Sequence, residues 1–292
     1  MATHTPRRAL PGETVLVTGA SSGIGRTTSL HLVGLGYRVL AGVRHAADGE
    51  QLAADATRPD LVHPLIVDVT DAEQVAGAAT ATAELAGPAG LTALFSNAGI
   101  AELHGDTSCE GCPIEVQERT MAVNHFGAVR VTQAVLPQLR ASRGRIVVNT
   151  ALMARLALPF NAGYAASKSA LEAWMETLRR EVAPHGVHVS MVEAAAIATN
   201  LTSDAADVTA DGPYPEQHGF HESAQRRLAA HADDASVSPE RFAERVVEAI
   251  QSPRPRRRYV VGGGSRPLDA LSHLPAAAQD RVLRALVRRP AR

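Results

Sequence analysis

The chain has 292 residues, 45% of them hydrophobic and 20% charged, with a formal net charge of −1. That length buries a full core in one domain, the near-neutral balance leaves no electrostatic footprint for nucleic acid, and no apolar run reaches bilayer-spanning length. Residues 1–8 lack the apolar segment of a secretory signal, so the chain is read as cytoplasmic, with residues 1–11 a flexible lead-in.

Strands are expected at residues 14–18, 38–43, 62–67, 91–96, 145–149, 187–192 and 258–261, with polar-faced helical stretches between them. Alternation of this kind predicts an α/β fold, a doubly wound parallel sheet with right-handed crossovers, in one domain over 12–265. The first strand, Thr14-Val15-Leu16-Val17, runs into Thr18-Gly19-Ala20-Ser21-Ser22-Gly23-Ile24-Gly25 and then a helix. Strand, glycine turn and helix together form a phosphate site, because glycine permits close backbone approach and the helix N-terminus faces the anion. The second strand ends Ala41-Gly42-Val43-Arg44, with no carboxylate to hold an adenosine ribose. An arginine there pairs with a 2′-phosphate, and Ser22 adds a hydroxyl, so NADP(H) is the expected cofactor. The alternative is that Arg44 is a solvated loop cation.

Cys109 and Cys112 form a Cys-x-x-Cys, but two ligands without a nearby histidine pair make no structural zinc site; no metal is expected and the thiols are read as inert. Lys168 is the only lysine among 29 Lys and Arg residues, and it stands four positions after Tyr164 on a predicted helix. Residues at i and i+4 share a helix face, so the ammonium sits beside the phenol, where a fixed cation lowers a pKa that is ordinarily about 10. Residues 200–238 carry Asp204, Asp207, Asp211, Gly212, Pro213, Pro215 and Gly219 with little periodicity. They are too many for an ordinary connection and are read as a lid over the substrate cleft, the other reading being a disordered insertion. Beyond 266, Leu268, Leu271, Leu274, Val282, Leu283, Leu286 and Val287 recur at helical spacing, which predicts a C-terminal helical extension, packed or in oligomer contact.

The glycine turn, Asn97-Ala98-Gly99 after Leu91-Thr92-Ala93-Leu94-Phe95, Asn124 in a predicted helix, and the Tyr164/Lys168 pair occur in an order that resembles the single-domain short-chain dehydrogenase/reductase family over residues 12–265. The resemblance implies a Rossmann-type sheet. It gives the adenine ring to Asp68 and Val69, although Asp68 alone equally caps the helix beginning near Thr70, and places Asn97, Ala98 and Gly99 beside the adenosine. It further implies that Tyr164 is the acid/base, that Lys168 lowers its pKa and holds the nicotinamide ribose, and that Asn124 orders a water and relays protons. Ile197 and Thr199 are expected beside the nicotinamide, in a loop where the family's Pro-Gly has become Ala194-Ala195. The resemblance also implies a homodimer or homotetramer paired through helices around 118–138 and 164–181, which carry Met121, Val129, Val135, Leu171, Trp174 and Leu178.

One family position departs. The serine that polarises the substrate carbonyl normally lies thirteen positions before the tyrosine, where this chain has Ala151. Losing one such donor costs about 3 kcal/mol, or about 10²–10³ in rate. Thr150, Asn149, Ser167 and a group on the substrate are the candidate replacements. Three functions stay open: an NADP(H)-dependent oxidoreductase interconverting a ketone and a secondary alcohol on a medium-sized apolar substrate; an enzyme of the same fold catalysing isomerisation, elimination or cyclisation; and a dinucleotide-sensing binding protein.

Overall fold

The structure, a computed structural model, describes residues 6–102, 105–194, 208, 213–230, 238–262 and 265–287. Seven strands form one sheet: β1 (Thr14–Thr18), β2 (Arg38–Val43), β3 (Val62–Ile66), β4 (Ala93–Ser96), β5 (Arg145–Ala151), β6 (His188–Ala194) and β7 (Arg258–Val261). All pairs are parallel and the order is β3-β2-β1-β4-β5-β6-β7. The order reverses between β1 and β4, which opens a crevice at the carboxyl ends of these strands where such sheets bind ligands.

Alternation along each strand divides the core in two. Val15, Val17, Phe95, Val147 and Val192 face α1 (Gly23–Gly34) and, through Phe242, Val246 and Ile250, the helix that precedes the last strand. Their neighbours Leu16, Leu94, Ile146 and Val148 face the opposite side, against Val131, Val135, Leu171 and Met175. Helices α2 (Ala46–Asp55), α3 (Ala72–Ala86), α4 (Ile114–Met121), α5 (Ala128–Ser142), α6 (Met153–Leu156) and α7 (Ala162–Val182) complete the crossovers to β6. A π-helical stretch, Ala122–Gly127, joins α4 to α5 where sequence predicts one continuous helix.

β5 and β6 run two residues past their expected ends, with Thr150 opposite Glu193 and Ala151 opposite Ala194. Glu193, one residue beyond the expected end of β6, is wholly buried, with its carboxylate held by Arg155 (2.5 Å) and Arg258. Paired charge lets a carboxylate occupy a core strand. Part of the segment read as aperiodic is helical: α8 spans Glu216–Ala230. Its anchors are polar, since buried Gln217 and His221 bond Thr107, and a search for apolar periodicity passes over them. Residues 200–207, 209–212 and 231–237 of the expected lid lie outside the described residues.

α9 (Pro239–Gln251) precedes β7, and α10 (Ser265–Ser272) and α11 (Ala276–Val287) follow it. The expected C-terminal helices are present, and Leu271 and Leu283 pack on Leu152 and Leu156 just beyond β5. Leu274 and Val282 of the same predicted stripe are exposed. The stripe expected to pair subunits needs correction too. Val135, Leu171 and Leu178 are buried in the chain's own core, which leaves Met121, Val129 and Trp174 as its partly exposed members. No described helix is long and apolar enough to cross a membrane.

Candidate active site

The turn after β1 is built for close backbone contact. Gly19 and Gly23 have φ of +65° and +49°, which glycine adopts without strain. A Cβ on Gly25 would run into the Gly19 carbonyl oxygen and the Asn97 amide. Gly25→Ala should therefore displace the turn and abolish dinucleotide binding while the sheet stays folded, as cofactor fluorescence titration beside circular dichroism will report; unchanged affinity would contradict this role. Ser22 sits at the N-cap of α1 with its side chain making no cap bond, and the first turn holds no acidic residue. The helix N-terminus and its free N–H groups are thus available to an anion, and the donor set fits a pyrophosphate. Ser21 and Ile24 flank these glycines in the same turn.

Asn97 links this turn to β4 and β5. Its Nδ2 donates to the carbonyl oxygens of Thr18 (3.0 Å) and Gly19 (3.2 Å), and its Oδ1 accepts from Asn149 Nδ2 (2.9 Å). Thr18 Oγ1 accepts from the backbone N–H of Asn97 and Ala98. Thr18 and Asn149 are scaffold residues whose part in this network the sequence did not signal. On the far side of the crevice Arg44 is exposed at the end of β2, and among the described residues it makes no ion pair within 4.0 Å. Asp68 lies near enough for Arg44 to stabilise its charge, though Thr70 does more: Asp68 Oδ1 accepts from Thr70 N (2.8 Å) and Oγ1 (2.7 Å), and the carboxyl is held below its ordinary value. The cap of α3 is Asp71, not Asp68. Val69 is buried against Gly127, where a Cβ would strike it, and its carbonyl accepts from Arg130 (2.7 Å).

Lys168 and Tyr164 lie one turn apart near the start of α7, with Lys168 Nζ 5.8 Å from the phenol ring centroid. Nζ donates to the Asn149 carbonyl (3.0 Å), so the hydrogen-bond chain that begins at the glycine turn ends on the lysine. Gly99 packs beside both Nζ and Asn124, and a Cβ there would stand 3.5 Å and 3.1 Å from them. Asn124, wholly buried in the π-helical stretch, accepts from Ile100 N (2.8 Å) and donates to Ile100 O (2.9 Å) and Ser167 Oγ (3.0 Å). It clamps the loop after β4 to α7. π-helical turns are frequent at functional sites.

Burial pushes the Tyr164 phenol above its ordinary value and drives Lys168 down to about 8. The expected lowering of the phenol by the lysine does not prevail in this structure, because desolvation penalises the phenolate more than a cation over the ring face favours it. Ala151, buried at the end of β5, offers no hydroxyl. The candidate replacements point elsewhere. Thr150 lies beside Glu172, where its Oγ1 completes no hydrogen bond of normal geometry. Asn149 Nδ2 is committed to Asn97, and Ser167 Oγ donates to the Tyr164 carbonyl (2.8 Å). Ile197 and Thr199 lie outside the described residues.

A small cavity opens beside Tyr164, walled by Thr107, Cys112, Val116, Thr120 and Asn161. Cys112 is therefore a wall residue; burial raises its thiol and disfavours the reactive thiolate. Among the described residues no cluster of ligands suits a metal ion.

A family model for short chain dehydrogenase matches residues 13–209. The chain belongs to the short-chain dehydrogenases. Two relatives agree: it is 33% identical to retinol dehydrogenase 5 of Mus musculus, over 98% of this chain and 92% of the relative, and 32% identical to 17-beta-hydroxysteroid dehydrogenase type 6 of Bos taurus, over 92% and 87%. The crystal structure of a short-chain dehydrogenase from Burkholderia cenocepacia J2315 in complex with NADP superposes with a TM-score of 0.69 at 26% identity, covering 96% of this chain and 100% of that one. This short-chain dehydrogenase is accordingly an oxidoreductase with a Rossmann-like parallel sheet.

Proposed function

We propose that this short-chain dehydrogenase uses NADP(H) to interconvert a ketone and a secondary alcohol on a medium-sized apolar substrate. The observation that carries the reading is the convergence of Tyr164, Lys168 and Asn124 on one bonded scaffold that reaches back to the glycine turn through Asn149 and Asn97. The relatives' names, a retinol and a hydroxysteroid dehydrogenase, support an apolar alcohol. Leu152 and Leu156, with Leu271 and Leu283 packed on them, form a buried apolar cluster directly after Ala151.

The bound nicotinamide supplies or accepts the hydride. Tyr164 gives the carbonyl oxygen its proton in reduction and takes it back in oxidation. The charged Lys168 favours the phenolate when the proton leaves and would hold the ribose hydroxyls, while Asn124 keeps the loop at Gly99 against the lysine and would order a water for the proton relay. Gly19, Ser21, Ser22, Gly23, Ile24 and Gly25 would hold the pyrophosphate, and Asp68, Val69, Asn97, Ala98 and Gly99 the adenosine; the expected nicotinamide contacts, Ile197 and Thr199, fall outside the described residues.

Arg44, exposed and in no ion pair among the described residues, supports NADP(H) over NAD(H), as does the NADP bound in the Burkholderia structure. Arg44→Ala should weaken NADPH binding while leaving NADH affinity unchanged, read by fluorescence titration of both cofactors. Wild-type NADH binding as tight as NADPH binding would overturn the preference. A second reading, chemistry without net redox such as isomerisation, is favoured by one observation: Thr150, Asn149 and Ser167 all point away from the place of the missing serine hydroxyl.

A further inference from the structure

Lys168 is nearly sealed from solvent. It is faced by Tyr164 and Glu172 from its own helix, by the carbonyl of uncharged Asn149 from β5 and by Gly99, on which Asn124 of the π-helical stretch also packs. Glu172, also buried, is the one carboxylate among these. Its Oε2 accepts from Arg258 Nη1 (2.7 Å), and the same guanidinium binds Glu193. Glu193 is shared in turn with Arg155, which reaches Asp269 (2.8 Å) and Ser272 (2.6 Å) on α10. Glu176, one turn beyond Glu172, is held by Arg257 and Arg179 and lies 3.7 Å from Arg258. His273 approaches Asp269 at 3.6 Å.

Charges alternate along this line. Without Glu172, Arg258 would keep Glu193 and Glu176, and Arg155 would keep Glu193 and Asp269, whereas Lys168, one turn before Glu172 on α7, would lose the one carboxylate facing it. Burial of an uncompensated cation favours its neutral form.

We propose that Glu172 is a positioning residue for Lys168: clamped by Arg258 one helical turn along α7, its buried carboxylate supplies the counter-charge that keeps the lysine charged beside Tyr164. The inference rests on the proposed function only in giving a charged Lys168 a catalytic use. Burial lowers the lysine to about 8 and Glu172 opposes that fall. Burial also raises Glu172 itself; Arg258 pulls it down and Glu193 adds to the rise. A lysine whose pKa falls further loses its charge at a lower pH, so activity that needs the charged form should fail earlier as pH rises.

Because the chain has a single lysine, labelling with [ε-13C]lysine gives one side-chain resonance that reports Lys168 without any activity measurement. In wild type its titration midpoint should lie near 8. Glu172→Gln keeps the shape and leaves Arg258 paired with Glu193; its midpoint should drop by about one pH unit. Glu172→Asp, which keeps the charge, should restore most of the difference, and it serves as a second test if the Gln variant folds poorly: a normal midpoint in the Asp variant supports the charge role, a fully lowered one opposes it. The alkaline limb of kcat/KM should move to lower pH in step with the Gln resonance. An unmoved resonance in a folded Glu172→Gln variant overturns the proposal. A moved resonance with an unmoved kcat/KM profile supports the role of Glu172 and counts instead against the catalytic use assigned to Lys168.

Discussion

Tyr164→Phe should lower turnover by about 10²–10⁴, the range that a positioned proton donor contributes, while NADPH affinity stays at the wild-type value. The phenol makes no hydrogen bond to any described residue that would hold the fold, and its ring over Lys168 persists in phenylalanine. Loss of the hydroxyl therefore removes chemistry and little packing. Product formation on a carbonyl panel, measured beside a cofactor titration, separates the two effects. Full activity in the variant would mean that the proton comes from another group.

Ala151→Ser should raise turnover of simple ketones, by up to the factor of about 10²–10³ that one oxyanion donor is worth. Ala151 ends β5 in register with Ala194, on the strand face opposite Thr150 and Glu172. The comparison is kcat/KM for wild type and variant over the same ketones. No gain would show that the carbonyl is not polarised from this position, and would favour chemistry without net hydride transfer.

The sheet was legible because its inner strands are short apolar runs buried on both faces, a pattern that survives without tertiary knowledge. The glycine turn, Asn97-Ala98-Gly99, Asn124 and Tyr164/Lys168 were legible as spacings, and the fold brings all of them to one end of the sheet. What escaped depends on partners distant in sequence. Glu193 looked like the end of a strand until Arg155 and Arg258 neutralised it. α8 looked like a loop because Gln217 and His221, its buried contacts, are polar. Asp68 was open as a cap until Asp71 was seen to bond Glu73 N and Gln74 N. Half of the expected subunit stripe was core, because an amphipathic pattern gives the apolar face without saying whether a neighbouring strand or another subunit covers it. At Tyr164 spacing places a cation beside the phenol, and packing adds the desolvation that opposes it.

Isotope tracing follows the hydride itself. Wild-type enzyme supplied with NADPH carrying deuterium at the transferable C4 position and with a panel of apolar ketones should give alcohols bearing one deuterium at the carbinol carbon, with one NADPH oxidised for each alcohol formed. Conversion of a substrate without deuterium in the product and without NADPH oxidation would contradict the account.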